Sequence, residues 1–460
     1  MILNPTIFRA YDIRGIAFED FDEEGIFLIG RSFGDYISKK FSIKNPKIFV
    51  SGDGRMSMDQ IYPALLSGLK ISGAEIIWGG ILPTPINFFA LKENNFDAAV
   101  QITASHNPPN YNGLKLTDKK GSICDQEIKK IGENAFCFDC EQIKKGKCIK
   151  DCEIVDFSEK YLKKILQISK NQKPKKIILD AGNGPTGIFY PEIFRKLGHD
   201  VLELFCDLDP TFPNHSPDPE EKENLQILIQ KIKENNFDFG LAFDWDGDRI
   251  GIVLKNGEIL SADKILFVLA ADFLSRNPGE TIVVDAMSSE ILIEKIKKIG
   301  GKIILSKTGH SFIEEKMHEK KALFGGEQSG HFMFGENFYG HDDACLAGVR
   351  FLAAVEYQPK LLDEVINNWP QMYEFSKKFE VSDEKKFLII EQVTKKLKKY
   401  FKNIDTLDGA RIKFEDNDWA IIRCSNTSPK ISVRIEAKEK INLEKYKKIL
   451  VTELEESIKL

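Results

Sequence analysis

Lys92–Pro109 reads KENNFDAAVQITASHNPP, and Lys233–Arg249 reads KENNFDFGLAFDWDGDR. The same six residues open both stretches. Each follows a helix-like segment and runs into a short apolar run, then a polar loop. A weaker third echo, EKKALFGGEQSGH, begins at Glu319. Six matching letters could arise by chance; the matching context after them is what makes a repeat. The pattern predicts three copies of one α/β unit. Each copy places a loop at the C-terminal end of a strand, where open α/β sheets bind their ligands.

Working outward, KIFVSGDGR, KKIILDAGNGP, TIVVDAM and GKIILSKTG read as further strands, with SEKYLKKILQIS and SEILIEKIKKIG as helices between such runs. That alternation predicts α/β domains. The tail differs. DGARIKFEDNDWAIIRCSNTSPKISVRIEAK alternates apolar and polar residues as antiparallel strands do around a loop, after the charged helical EKKFLIIEQVTKKLKKYF. The expected fold class is therefore α/β, with three similar mixed α/β domains and a C-terminal α+β domain. The expected spans are 1–151, 152–254, 255–366 and 367–460 of the 460 residues.

Hydrophobic residues make up 42% of the chain and charged residues 29%, an ordinary balance with enough apolar material for several cores. The net charge of -5 argues against a nucleic-acid binder, which would show a basic stripe. Lysine is interleaved with glutamate, as solvated helix faces require. The N-terminus meets Arg9, Asp12 and Arg14 early and lacks a signal-peptide layout. The most apolar stretch, Ile265–Leu274, is too short to span a bilayer and contains Asp272. A cytoplasmic location is expected. Cys137 and Cys140 form a CxxC, with Cys148 and Cys152 nearby, but the gap between the pairs is short for a zinc ribbon. Free thiols are the plainer reading.

Three carboxylates, Asp244, Asp246 and Asp248, alternate in one short loop. Like charges a few Å apart disfavour joint ionisation, and a hard dication with oxygen ligands resolves the conflict. An EF-hand is excluded, because Arg249 and Lys255 stand where that loop needs Gly and Glu. Three protein carboxylates leave a Mg²⁺ position for a phosphate oxygen. The repeat puts the Ser105 loop and the aspartate loop in equivalent places, so Ser105 as a phosphoserine is the economical reading. In GGEQSGH, Glu327, Ser329 and His331 offer acceptors and donors suited to sugar hydroxyls. In RCSNTSPKISVR, Arg423 and Arg434 with Ser425, Asn426 and Thr427 offer the hydroxyls and guanidinium forks that a phosphate needs.

Together these loops resemble the α-D-phosphohexomutase family, most closely its phosphomannomutase/phosphoglucomutase branch. The resemblance runs through FRAYDIRG (Phe8–Gly15), TASHNPPNYNGLK (Thr103–Lys115), DAGNG (Asp180–Gly184), DWDGDR, KTGHSFI (Lys307–Ile313), GEQSGH and RCSNTSP. It implies four domains around a central cleft and a phosphoserine at Ser105 that ligates Mg²⁺ with Asp244, Asp246 and Asp248. It implies that Glu327, Ser329 and His331 bind sugar hydroxyls. It further implies that Arg423, Ser425, Asn426 and Thr427 grip the non-reacting phosphate, with Arg434 in support. Tyr11, Arg14, His106, Lys115, Arg249 and His310 match cleft-lining positions, and Lys115 and His310 are candidates for proton handling. Gly52, where the family usually has arginine, and Met287, where this branch has lysine, depart from the pattern. Gln328 is more typical of phosphoglucosamine mutases, whereas SNTSP and FRAYDIRG favour the other branch.

The expected reaction interconverts hexose 1-phosphate and hexose 6-phosphate, of mannose or glucose, through a hexose 1,6-bisphosphate that also serves as activator. The alternatives are a phosphoglucosamine mutase, a Mg²⁺-dependent sugar phosphatase, or a non-catalytic sugar-phosphate sensor on the same fold. The expected partners are small-molecule sugar phosphates, with no nucleic acid and no membrane, and a monomer or weak dimer is expected.

Overall fold

The computed structural model describes residues 1–138, 152–169, 172–426 and 428–459. They group into two bodies. One comprises residues 1–261 and 329–356; the other comprises residues 262–328 and 357–460.

In the first body, one sheet runs in the order Ile13–Ile16, Tyr111–Asp118, Ala98–Ile102, Lys47–Gly52, Glu75–Ile81, Glu153–Ile154. Its middle strands are parallel, and Tyr111–Asp118 pairs antiparallel with Ala98–Ile102. A second sheet repeats the plan, in the order Ile259–Leu260, Ile250–Leu254, Phe239–Phe243, Lys176–Asp180, Asp200–Leu204. There Ile250–Leu254 returns antiparallel to Phe239–Phe243. In both sheets the strand that follows KENNFD is buried at every position, as a strand covered on both faces must be.

The repeat read from the sequence is thus a repeat of structure. The helix Thr84–Glu93 leads into the strand Ala98–Ile102, and the helix Gln226–Asn235 leads into Phe239–Phe243. In the second body the helix His310–Lys320 leads into Phe324–Gly326, which is parallel to Thr281–Asp285. The strand Lys302–Ser306 completes that parallel set. Ile265–Leu274 lies inside the helix Ala262–Arg276, and nearly all of it is buried. Its one charge, Asp272, pairs with Arg276. Among the described residues, no helix is long and apolar enough to cross a membrane.

The C-terminal part is antiparallel, as its alternation predicted. Lys430–Ala437, Trp419–Cys424 and Ala410–Lys413 pair in turn, and Tyr373–Glu380 adds an outer strand. The helices Asp383–Leu397 and Lys440–Ile458 cover this sheet around Val393, Ile422, Val433 and Leu450.

Candidate active site

Ser105 follows the strand Ala98–Ile102 by three residues and is buried. Its backbone is in the left-handed region at φ 49°. The turn is closed by Ser105 N–H donating to Thr103 Oγ1 at 2.9 Å and by Asn107 N–H donating to the Ala104 carbonyl at 3.1 Å. This conformation aims the Ser105 hydroxyl at the acidic loop, where Oγ donates to Asp244 Oδ2 at 2.8 Å. His106 Nδ1 lies 3.2 Å from the same oxygen. Arg14, on the strand Ile13–Ile16, donates to Asn107 Oδ1 at 2.8 Å and pairs with Asp12. Tyr11 precedes that strand and is half-buried.

The acidic loop joins Phe239–Phe243 to its antiparallel partner Ile250–Leu254. All three aspartates are fully buried, with ligand atoms within 4.8 Å of one another. Asp244 Oδ1 accepts from the backbone of Gly247 at 3.0 Å and of Arg249 at 3.1 Å. Gly247 turns the chain at φ 78°, a conformation that costs glycine least. Lys115 reaches in from Tyr111–Asp118 and donates to Asp246 Oδ2 at 2.7 Å and to Asp248. Burial, followed by Asp248 and Asp246, pushes the Asp244 carboxyl well above the carboxylate range. Burial and Asp248 push Asp246 upward too, but Lys115 and the Thr84 hydroxyl outweigh them and hold it below that range. Burial works against the Lys115 charge, but Asp246 and Asp248 outweigh it and hold the ammonium on.

The donor set fits a divalent cation. Three carboxylates converge in a buried site, burial and the neighbouring aspartates drive Asp244 toward protonation, and Asp246 Oδ1 is buried with no hydrogen-bond partner among the described residues. Two positive charges would remove the conflict and take up that oxygen.

Arg249 donates from Nη1 to Glu220 at 3.0 Å. Its backbone bridges His331, whose Nε2 lies 3.2 Å from Asp248 Oδ1 and 3.8 Å from Asp342. Ser329 Oγ is 2.9 Å from His331 Nδ1. The first body therefore brings together Ser105, His106, Lys115, Arg14, the three aspartates, Arg249, Ser329 and His331.

Glu327 belongs to the second body. Its Oε2 accepts from Gly309 N–H at 2.8 Å, which orders the turn before His310, the buried first residue of its helix. Arg423, at the end of Trp419–Cys424, donates from Nε to Asp408 at 2.7 Å. Its Nη2 is buried with no acceptor among the described residues, as a guanidinium kept for an anion would be. Ser425 Oγ accepts from Ser428 N–H at 3.2 Å, and Asn426 donates to the Thr308 carbonyl at 2.7 Å. Thr427 lies outside the described residues. Arg434 is engaged by Glu436 at 2.5 Å and by the Met287 carbonyl at 3.2 Å, so its fork is largely spoken for.

Both departures from the family pattern have local reasons. A Cβ at Gly52 would meet Met58 Sδ at 2.5 Å, so a side chain there would require the Met58 side chain to move. Met287 packs against Ala286, Trp419 and Ile421 rather than presenting a charge. Cys137 is a free thiol; Cys140 and Cys148 lie outside the described residues.

Three contributors had no sequence signal. Thr84, at the start of its helix, donates from Oγ1 to Asp246 Oδ2 at 2.6 Å and from its N–H to the Asp246 carbonyl at 2.8 Å. Asp342 stands beside His331. Arg55 donates to the backbone of the Ser105 loop.

Fold and site define an α/β enzyme of the phosphoryl-transferring kind, with a serine set against a buried acidic triplet. Models of the phosphoglucomutase/phosphomannomutase α/β/α domains I, II and III match residues 5–137, 159–257 and 261–373, and the C-terminal domain model matches residues 377–453. The chain belongs to the phosphoglucomutase/phosphomannomutase family. It is 36% identical over 453 residues to a Pseudomonas aeruginosa phosphomannomutase/phosphoglucomutase, covering 98% of this chain and 96% of that protein. It is 37% identical to a Neisseria meningitidis phosphoglucomutase, covering 95% and 94%. The crystal structure of a phosphoglucomutase/phosphomannomutase family protein from Burkholderia thailandensis superposes with a TM-score of 0.89 at 31% identity, over 99% of this chain and 98% of the other.

Proposed function

We propose that this family member interconverts hexose 1-phosphates and hexose 6-phosphates of mannose or glucose, with Ser105 carrying the phosphoryl group. The reading rests on one observation above all: Ser105 Oγ lies 2.8 Å from Asp244 within a buried acidic triplet. In the forward half, phospho-Ser105 gives its phosphoryl group to the free hydroxyl of a hexose 1-phosphate. The Oγ–P bond breaks as the new O–P bond forms, the proton lost by the sugar hydroxyl ends on the leaving Ser105 Oγ, and a hexose 1,6-bisphosphate results. The bisphosphate then reverses its ends and returns the other phosphoryl group to Ser105. Free bisphosphate primes dephosphorylated enzyme, which makes it the activator.

Bound at Asp244, Asp246 and Asp248, Mg²⁺ would supply charge neutralisation for the transferring group. Lys115, held as an ammonium between Asp246 and Asp248, has no lone pair to take a proton and gives one reluctantly, so it suits the role of a fixed positive charge beside the transferring group. His106 is placed to exchange a proton with Ser105 Oγ. Ser329, His331 and Glu327 suit the sugar hydroxyls, and the free edge of Arg423 suits the phosphate that does not react. His310 adds a second candidate for proton handling.

The test is a coupled assay on mannose, glucose and glucosamine 1-phosphates with a trace of bisphosphate, run on the wild type and on Ser105→Ala. Turnover of the mannose or glucose ester by the wild type, and none by the folded variant, is the expected result. Retained turnover in the variant, or phosphate release in place of isomerisation, would remove Ser105 from the reaction and favour a phosphatase.

A further inference from the structure

Arg55 lies just past the strand Lys47–Gly52, and its side chain is buried. A buried arginine near a phosphate site invites reading as a phosphate ligand. Its donors exclude that. A guanidinium has five N–H groups, and here all five are used. Nε donates to Asp53 Oδ2 at 3.2 Å. Nη1 donates to the carbonyls of Pro108 at 2.9 Å and Tyr111 at 3.0 Å. Nη2 donates to the carbonyls of Asn107 at 2.9 Å and of Ser105. Four of the five acceptors are main-chain oxygens: Ser105, Asn107 and Pro108 in the loop that carries Ser105, and Tyr111 at the start of the strand that follows it.

That loop needs an external hold. Ser105 occupies the left-handed region at φ 49°, which persists for a residue with a Cβ only when its surroundings over-determine it. Within the loop the Ala104 and Pro108 carbonyls accept from the Asn107 and Tyr111 N–H groups, whereas the Ser105 and Asn107 carbonyls are taken by Arg55, which also reaches Pro108. Arg55 is itself anchored to the sheet: the Asp53 N–H donates to the Ile102 carbonyl at 3.0 Å, and Asp53 Oδ1 accepts from the Arg55 N–H at 3.2 Å.

We propose that Arg55 is the positioning residue of the Ser105 nucleophile, its fork clamping the loop carbonyls so that Oγ faces the acidic triplet. This rests on Ser105 being the phosphoryl carrier. The work is geometric. In-line transfer tolerates little displacement, and a shift of about 1 Å at a reacting atom costs roughly 100-fold in rate. Charge alone is not enough, because lysine keeps the charge but has three donors and no planar fork.

Arg55→Lys is the decisive variant. The expected result is a folded protein whose Ser105 reaches wild-type phosphate stoichiometry with glucose 1,6-bisphosphate, and whose KM for hexose 1-phosphate is unchanged. Its kcat should fall roughly 100-fold. Millimolar guanidinium should restore part of kcat to Arg55→Ala without moving its Tm. A wild-type kcat in Arg55→Lys, or a raised KM with kcat retained, would overturn the proposal. If Arg55→Lys does not fold, Asp53→Asn decides: it loosens Nε but leaves the four carbonyl bonds, so an intermediate kcat loss supports the clamp and a wild-type kcat refutes it. Failure of the underlying reading looks different. There, an active wild-type enzyme would carry no phosphate on Ser105, whatever Arg55 does.

Discussion

Replacing Thr84 by valine isolates one bond. Thr84 Oγ1 donates to Asp246 Oδ2 at 2.6 Å, and both residues are fully buried. Valine matches the shape of threonine and keeps the backbone bond from Thr84 N–H to the Asp246 carbonyl at 2.8 Å, so the start of the helix Thr84–Glu93 survives. Only the hydroxyl is lost. A hydrogen bond to a charged acceptor contributes about 1.5–3 kcal/mol. Lys115 still holds the same Oδ2 at 2.7 Å, so the lower part of that range applies and the carboxylate is loosened rather than freed. The effect on a metal is indirect: Oδ1 no longer points reliably into the site. Losing an outer partner of a metal ligand typically costs 10–100-fold in affinity, and the expected rise in the Mg²⁺ dissociation constant is about 10-fold. Titration calorimetry with Mg²⁺, repeated with Mn²⁺ by electron paramagnetic resonance, reads it directly. A valine variant that folds with wild-type Tm and binds both ions with wild-type affinity would refute the reasoning.

Three further outcomes are expected. Lys115→Met removes the cation between Asp246 and Asp248, and breaking a buried pair costs about 3–5 kcal/mol; Mg²⁺ should then raise the Tm of the variant more than that of the wild type, and equal shifts would contradict the metal placement. Arg423→Ala should raise KM for both sugar phosphates with little change in kcat, and an unchanged KM would remove it from phosphate binding. His199 is held down to about 4, by burial first and by Lys175 second. Because the folded value lies below the unfolded one, its contribution is complete above pH ~6.5 and is lost as pH falls toward 4, by at most about 1.4 kcal/mol per pH unit. Urea midpoints measured from pH 7 to 5 should fall less steeply in His199→Phe, and parallel slopes would dismiss the histidine.

The sequence carried the α/β repeat because KENNFD occurs twice at the same point of the unit, before a strand that is buried throughout. It carried the acidic loop because three neighbouring carboxylates demand a cation wherever they are buried. It could not carry Thr84 or Arg55. Thr84 lies 162 residues from the aspartate it supports, and a threonine at a helix start looks like an ordinary terminus. Arg55 lies about 50 residues from the carbonyls it binds, and those carbonyls have no residue identity to read. The outer strand Tyr373–Glu380 also had no signal. It is exposed at most positions and rich in lysine, as an edge strand tends to be, so its apolar pattern is faint.

The central claim is best tested by loading the enzyme with labelled phosphate from glucose 1,6-bisphosphate and following one turnover with hexose 1-phosphate. The account predicts a single adduct of about 80 Da on Ser105 that passes to the sugar only when Mg²⁺ is present. An active enzyme with no adduct on Ser105, or transfer at the same rate in a chelator, would contradict it.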